Sequence, residues 1–199
     1  FFDTRPYLSP HSDLVALTVL QHQVHLHNLI TRANYETRKA LHYEQLLNRE
    51  LKRGENFRSE STTSRIKSAT EPLVRALLFS GEAKLQGPIK GTTSFATEFA
   101  ARGPWDSQKR SLRQFDLKTR LFRYPCSYLV YTEAFDALPK EAKEYVYRRF
   151  SEILSGSDQS KEFQHLSAAD RQAVLQILRE TKPDFAAWLG KEAASRGSG

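Results

Sequence analysis

Histidine is the residue type in this sequence with the clearest capacity for chemistry. Five of the six histidines lie between positions 11 and 42. They are His11, His22, His25, His27 and His42. A neutral imidazole nitrogen is a ligand for zinc, copper, nickel and haem iron. The stretch that contains these residues is therefore the first place to look for a site.

His22 and His25 are three positions apart, a spacing that places two side chains on the same side of a helix. Together they can hold a metal ion. No HExxH motif and no acidic ExxH partner accompanies them, so a metal site would rest on this pair alone. The alternative, which we favour for His22, is a buried histidine hydrogen-bonded to a neighbour.

A second set of polar residues follows the same stretch at spacings of three and four. It comprises His27, Thr31, Asn34, Arg38 and His42. Such a row can line a pocket. It can equally be covered by the glycine- and proline-containing segment 81–110, with hydrogen bonds to the loop backbone, and we favour this second interpretation.

A run of basic residues surrounds Trp105. It comprises Arg102, Lys109, Arg110, Arg113, Lys118, Arg120 and Arg123. With a net charge of +7, the run favours an anionic partner such as an acidic protein, and its alternative is an ordinary solvated face. No helix-turn-helix, zinc-finger or RNP signature is present, which argues against nucleic acid.

Cys126 is the single cysteine. One thiol excludes an internal disulfide, a CxxC redox pair and a CxxCH haem attachment within this chain. Cys126 lies in an apolar context, which predicts a buried structural thiol. No P-loop, GxGxxG or GxSxG motif occurs.

The candidate histidines are carried by a long predicted helix, residues 12–52, which contains no proline or glycine. Ser12 is its predicted N-cap. A broad apolar arc forms the core face and includes His22. Leu17, Leu20 and Val24 make the first half apolar on the opposite side as well, so we predict that half to be the more buried one. A bend is expected within 28–34.

The chain as a whole predicts an all-α fold of about five to seven helices, built on this long one. Further helices are expected to begin at Thr62 or Thr63, after Pro139, and at Ser167, where Asp170 completes a capping box. Two more helices are expected within 94–101 and over 111–124. The segment 81–110 is a long loop. The expected domain is residues 1–190, with an extended arm, 1–11, and a flexible tail, 191–199. No segment of about 18 apolar residues is present to span a membrane.

Four runs of sequence are distinctive in combination: FFDTRPYLSPHSDLVAL, HNLITRANYETR, STTSRIKSATEPLVRALLF and LFRYPCSYLVYTEAFDALP. They resemble the C-terminal region of a family of bacterial exported proteins whose members carry a CxxCH c-type haem motif upstream. The absence of methionine, including an initiator, also predicts a mature product or a piece of a longer protein.

The resemblance implies a periplasmic location and a cytochrome-c-like role in electron transfer or redox sensing. Haem c would be attached by a part of the protein not present in this chain, with His11 or His22 as its distal ligand. The partner would be an acidic redox protein or another part of the same polypeptide. Two alternatives stay open: a non-catalytic helical interaction domain with a basic surface, and a metal-dependent enzyme using His22 and His25.

Overall fold

The computed structural model of the protein describes residues 3, 5–6, 12–54 and 56–197. Most of the predicted arm, including the candidate ligand His11, lies outside the described residues. Within them the fold is all-helical, which confirms the predicted class, and no helix is long and apolar enough to cross a membrane. The α-helices of the described part are α1 Leu14–Glu50, α2 Glu60–Leu77, α3 Phe95–Ala101, α4 Glu133–Asp136, α5 Lys140–Leu154, α6 Ala168–Thr181 and α7 Pro183–Gly197, with short 3-10 helices at Tyr128–Tyr131 and Lys161–Phe163.

The long N-terminal helix, α1, is continuous over 37 residues, a length of about 55 Å at 1.5 Å per residue. Its N-cap is Asp13, one position after the predicted Ser12, and the Asp13 carboxylate accepts a hydrogen bond from Ala16 N at 3.0 Å. No break interrupts the helix at 28–34. Every third or fourth residue is buried, from Val15 to Asn48.

α1 and α2 form an antiparallel hairpin that the Glu44 carboxylate ties together. Glu44 is buried and accepts hydrogen bonds from the backbone N–H of Ser59 at 2.6 Å, from its hydroxyl at 2.7 Å and from Arg58 at 2.7 Å. Ser59 is the N-cap of α2, three positions before the earlier of the predicted caps. α2 continues through Pro72.

The predicted helix over 111–124 is wrong. This segment makes a tight turn in which Phe115 and Phe122 form an isolated antiparallel bridge. The Asp116 carboxylate accepts the backbone N–H groups of Lys118 and Thr119 at 2.7 Å each, and Leu117 takes a left-handed φ of 58°. An aspartate that bonds its own following backbone competes with helix formation, which explains the difference.

The C-terminal helices follow their local signals more closely. Pro139 is the N-cap of α5, and Ser167 with Asp170 forms the predicted capping box of α6. α7 begins at Pro183 directly after α6 and continues to Gly197, so the predicted tail is helical over most of its length. α5 packs against α2, α6 and α7, and this contact closes the core.

Candidate functional site

His22, the strongest histidine candidate, lies on the core face of α1 and is 7% exposed. Its Nε2 lies 2.8 Å from the hydroxyl oxygen of Ser127, and its Nδ1 lies 3.6 Å from a carboxylate oxygen of Glu82. The imidazole is stacked on Phe79 with 4.7 Å between ring centroids. His22 is therefore buried and hydrogen-bonded, as its position on the core face predicts.

The order Ser127, His22, Glu82 has the connectivity of a nucleophile, a base and an orienting carboxylate. Ser127, however, has no exposed surface, so a substrate does not reach its hydroxyl. The same hydroxyl also accepts the backbone N–H of Leu129 at 3.2 Å and caps the 3-10 helix. The arrangement thus links α1 to the centre of the core and lacks the access that catalysis needs.

In this arrangement, neither imidazole nitrogen of His22 is free to bind haem iron or another metal ion. Both imidazole nitrogens face protein atoms, and ligation through Nε2 would break the bond to Ser127. His25, its proposed partner, is exposed. Among the described residues, no group of three or more histidine, cysteine or acidic side chains can hold a metal ion.

The hydrogen bonds of the predicted polar row do not go to the 81–110 loop, which was the favoured interpretation. Asn34 donates to the backbone carbonyl of Ala137, after α4, at 3.2 Å, and accepts from Arg38 at 2.6 Å. His27 is half-buried, whereas Thr31, Arg38 and His42 are exposed. The segment that contacts Asn34 is therefore the end of α4, more than 20 residues beyond the predicted loop.

The 81–110 loop is fixed at the start of α1 instead, by a residue that the sequence analysis did not select. The Asp13 carboxylate accepts hydrogen bonds from Thr92 N at 3.1 Å, Thr93 N at 3.0 Å and the Thr93 hydroxyl at 2.5 Å. The Thr93 hydroxyl, with the backbone N–H of Ala16, holds the pKa of Asp13 below its usual range. A helix cap thus doubles as the anchor of the loop.

Two members of the basic run form ion pairs with nearby carboxylates. Arg110 pairs with Asp106 at 2.7 Å, and Arg120 pairs with Asp170 at 2.6 Å. Arg123 lies over the Tyr124 ring, 5.6 Å from its centroid.

Arg113, in the middle of the run, is turned into the protein. Its guanidinium lies between the rings of Phe99 and Tyr128, at 4.8 and 4.4 Å from their centroids, and donates to the carbonyl of Gly103. Burial lowers the pKa of Arg113. Arg102, Lys109, Lys118 and Arg123 are exposed, whereas Arg113 is half-buried.

Cys126 is fully buried, in agreement with its predicted structural role. Burial raises the pKa of its thiol far above the ordinary range, so the neutral form predominates at all physiological pH values.

The outward face of α1 in its first half is apolar and exposed. Leu14, Leu17, Leu20 and Val24 are 50%, 48%, 55% and 52% exposed. At about 100° per residue, Leu17, Leu20 and Val24 project away from the buried row that contains Val15, Val19, His22 and Leu26. The first half of α1 has fewer exposed positions than the second half, as predicted, but the apolar residues on its outward side are not among the buried ones. We call the set Leu14, Leu17, Leu20 and Val24 the α1 outer patch.

No family model, curated protein or solved structure matches this chain. Its function must therefore be argued from the arrangement of its own residues.

Proposed function

We propose that this chain is a non-catalytic helical interaction domain and that a second copy of the chain packs on the α1 outer patch. The observation that carries the proposal is the half-exposed row of Leu14, Leu17, Leu20 and Val24. Single exposed apolar residues are common on protein surfaces, but a contiguous apolar row marks an interaction site.

The absence of charge around the patch supports this proposal. No Asp, Glu, Lys or Arg occurs from Leu14 to Ile30, although 27% of the chain is charged. The other exposed residues on this part of α1 are Gln21, His25 and Asn28. Packing two such surfaces together buries no unpaired charge, and a buried unpaired charge is the largest cost in most interfaces.

The spacing of the patch suits a symmetric helix pair. Leu17, Leu20 and Val24 follow the three-then-four spacing of a helical packing seam. In an antiparallel pair centred between Leu20 and Gln21, each Leu17 faces Val24 of the second copy and the two Leu20 side chains lie beside each other. The contact is then the same from both sides. Three helical turns bury less than the roughly 800 Å² per partner of a standard interface, so we expect weak, micromolar association.

Sedimentation equilibrium over a range of concentrations tests the proposal. The mass should rise from 22.8 kDa toward twice that value as the concentration increases. Leu20→Glu should abolish the rise, because it places two like charges opposite each other at the centre of the pair. Its melting temperature should stay unchanged, because Leu20 is 55% exposed in the single chain.

Leu51→Glu is the matched control, since Leu51 is 54% exposed at the other end of α1. This variant should associate like the wild type. A wild type that stays at 22.8 kDa at every concentration, or a Leu20→Glu variant that still associates, contradicts the second-copy proposal.

The cytochrome-like hypothesis, with its periplasmic location and its haem c, stays a prediction. It rests on the resemblance, and the bonding of His22 argues against this residue as the distal ligand. If the chain belongs to a polypeptide with an upstream CxxCH motif, a visible spectrum of that polypeptide tests the hypothesis, and a spectrum without a Soret band would contradict it. The hypothesis of a metal-dependent enzyme at His22 and His25 also stays a prediction, which metal analysis of the purified chain tests.

A further inference from the structure

The end of the α1–α2 hairpin carries a second group of exposed apolar side chains. Leu46, Leu47, Leu51 and Phe57 are 45%, 37%, 54% and 45% exposed. They lie in the last turns of α1, at its C-cap and in the connection to α2. We call the described residues 46–54 and 56–58 the hairpin tip. The α1 outer patch lies near the other end of α1, so the helix pair of two copies does not use the hairpin tip.

Local hydrogen bonds hold the described part of the connection. The backbone N–H of Arg53 donates to the Asn48 carbonyl at 2.8 Å, and Lys52 takes a left-handed φ of 51°. The backbone N–H of Phe57 donates to the Gly54 carbonyl at 2.9 Å, and the Asn48 side-chain NH₂ donates to the Phe57 carbonyl at 2.9 Å. The exposed side chains are thus presented by hydrogen-bonded backbone, so binding through them does not first have to order this backbone.

The hairpin tip is also basic. Residues 49–58 contain four basic and two acidic residues. Arg49, Lys52 and Arg53 are exposed, and none of them forms an ion pair with a described carboxylate. Arg58, by contrast, forms ion pairs with two glutamates. Three exposed cations therefore remain to attract an anionic partner.

The arrangement of the apolar residues favours a membrane surface over a protein partner. At about 100° per residue, Leu46 and Leu51 point about 140° apart around the helix axis. A single face of a protein partner does not contact both of these sides, whereas a lipid interface surrounds a protruding tip. Along the axis the two residues are about 8 Å apart, at 1.5 Å per residue. Segments that bind at a membrane interface enter the boundary between headgroups and acyl chains by about 5–10 Å, so this boundary accommodates both residues.

We infer that the hairpin tip docks on the surface of an anionic lipid bilayer. Leu46, Leu51 and Phe57 enter the interface, and the three exposed cations face the lipid phosphates. The apolar side chains are stabilised by leaving water, and the cations are stabilised by the negative surface potential, so the two contributions add. Binding of this kind is peripheral and depends on both kinds of residue.

Co-sedimentation of the whole chain with lipid vesicles tests the inference. The probes are vesicles of phosphatidylcholine alone and vesicles of phosphatidylcholine with an equal amount of phosphatidylglycerol. The protein should sediment with the mixed vesicles and stay in the supernatant with phosphatidylcholine alone. Added salt should weaken the binding, because it screens exposed charges. No binding to the mixed vesicles, or equal binding to both kinds of vesicle, overturns the inference.

Leu51→Glu should weaken binding to the mixed vesicles at least about tenfold, because it replaces an inserted apolar side chain with a negative charge. Circular dichroism should show an unchanged fold, because Leu51 is 54% exposed. Leu20→Glu is the matched control, since Leu20 is 55% exposed in the α1 outer patch, and this variant should bind vesicles like the wild type. A loss in Leu20→Glu as large as that in Leu51→Glu overturns the inference. The two variants have the opposite expected effects on pairing, so vesicle binding and pairing fail independently.

A variant with both Lys52→Gln and Arg53→Gln should also bind the mixed vesicles about tenfold or more weakly, because two charges at the membrane surface are lost. A variant with both Lys84→Gln and Lys90→Gln is the control, since it loses the same charge at exposed positions of the 81–110 loop. Equal losses in the two variants would reflect net charge alone and overturn the inference. A protein that binds soluble polyglutamate through Lys52 and Arg53, but stays in the supernatant with the mixed vesicles, has an acidic protein as its partner, which also overturns it.

Discussion

The imidazole Nε2 of His22 and the hydroxyl oxygen of Ser127 lie 2.8 Å apart, although 105 positions separate them in the sequence. This contact joins the long helix α1 to the 3-10 helix at the centre of the core. The Phe79, Phe122 and Tyr128 rings surround the imidazole. The most prominent histidine of the sequence thus serves the packing of the fold.

His22→Ala should lower the free energy of unfolding by about 2–4 kcal/mol, because it removes a buried ring and leaves the Ser127 hydroxyl without its partner. His25→Ala is the matched control: His25 is exposed on the same helix, and its loss should change stability by less than about 0.5 kcal/mol. Urea denaturation followed by circular dichroism measures both. Equal effects of the two substitutions would contradict the structural role of His22.

The sequence predicts those parts of the fold that depend on local signals. The capping box of Ser167 and Asp170 is a property of four consecutive residues, and it appears as expected. The burial of His22 also follows from helical periodicity. Its partner does not, because Ser127 reaches it only through the tertiary arrangement of the central segment.

Two features depart from what local composition indicates, each for its own physical reason. The apolar spacing of 111–124 suits a helix, but the bonds of the Asp116 carboxylate to the backbone N–H groups of Lys118 and Thr119 favour a turn there. Leu17 and Leu20 are apolar like core residues, yet no element of the described part of the chain covers them. Local composition indicates which residues would be stabilised by burial, but whether each of them is buried depends on the tertiary structure.

Stability at low pH should depend on Asp158. Burial raises the pKa of this carboxyl, but hydrogen bonds from Ser160 N at 2.8 Å and from Arg149 at 2.6 Å outweigh it and lower the pKa to about 2 from an ordinary 3.8. A pKa that is lower in the folded state gives a contribution present above about pH 4 and lost as the pH falls toward 2.

Asp158→Asn should therefore be less stable than the wild type at neutral pH, and the difference should shrink as the pH falls from 4 toward 2. Denaturant unfolding at several pH values in this range measures it. Glu50→Gln, at an exposed position of α1, should give no such pH-dependent difference. A constant gap between wild type and Asp158→Asn would show that the charge of Asp158 contributes nothing.

Cys126 should not react with iodoacetamide in the native protein. The thiolate is the reactive form, and burial both raises the pKa of the thiol and keeps the reagent away. Mass spectrometry should show labelling only after unfolding in denaturant. A cysteine introduced at the exposed Ser61 should be labelled rapidly in the same protein. Rapid native labelling of Cys126 would show that the core opens locally.

Arg171 should be the arginine whose replacement costs the most stability. It is 7% exposed, and its guanidinium donates to backbone carbonyls of Ile153, Asp158, Phe163 and Leu166. These carbonyls belong to the end of α5 and to the connection that leads to α6, so one side chain satisfies acceptors that helix ends leave unpaired.

The geometry of the donors decides what a substitution at Arg171 does. A lysine keeps the charge, but its donors are all on one ammonium nitrogen, whereas the guanidinium group spreads its donors over a plane. Arg171→Lys therefore leaves some of the four carbonyls without a hydrogen bond. We expect a loss of about 2–4 kcal/mol for Arg171→Lys and a larger loss for Arg171→Met, which removes every donor. Arg179→Lys, at an exposed position of α6, is the control and should be nearly neutral. An Arg171→Lys variant that unfolds at the same urea concentration as the wild type would contradict this prediction. The positive charge at position 171 would then be sufficient to stabilise the connection between α5 and α6, without the four hydrogen bonds of the guanidinium group.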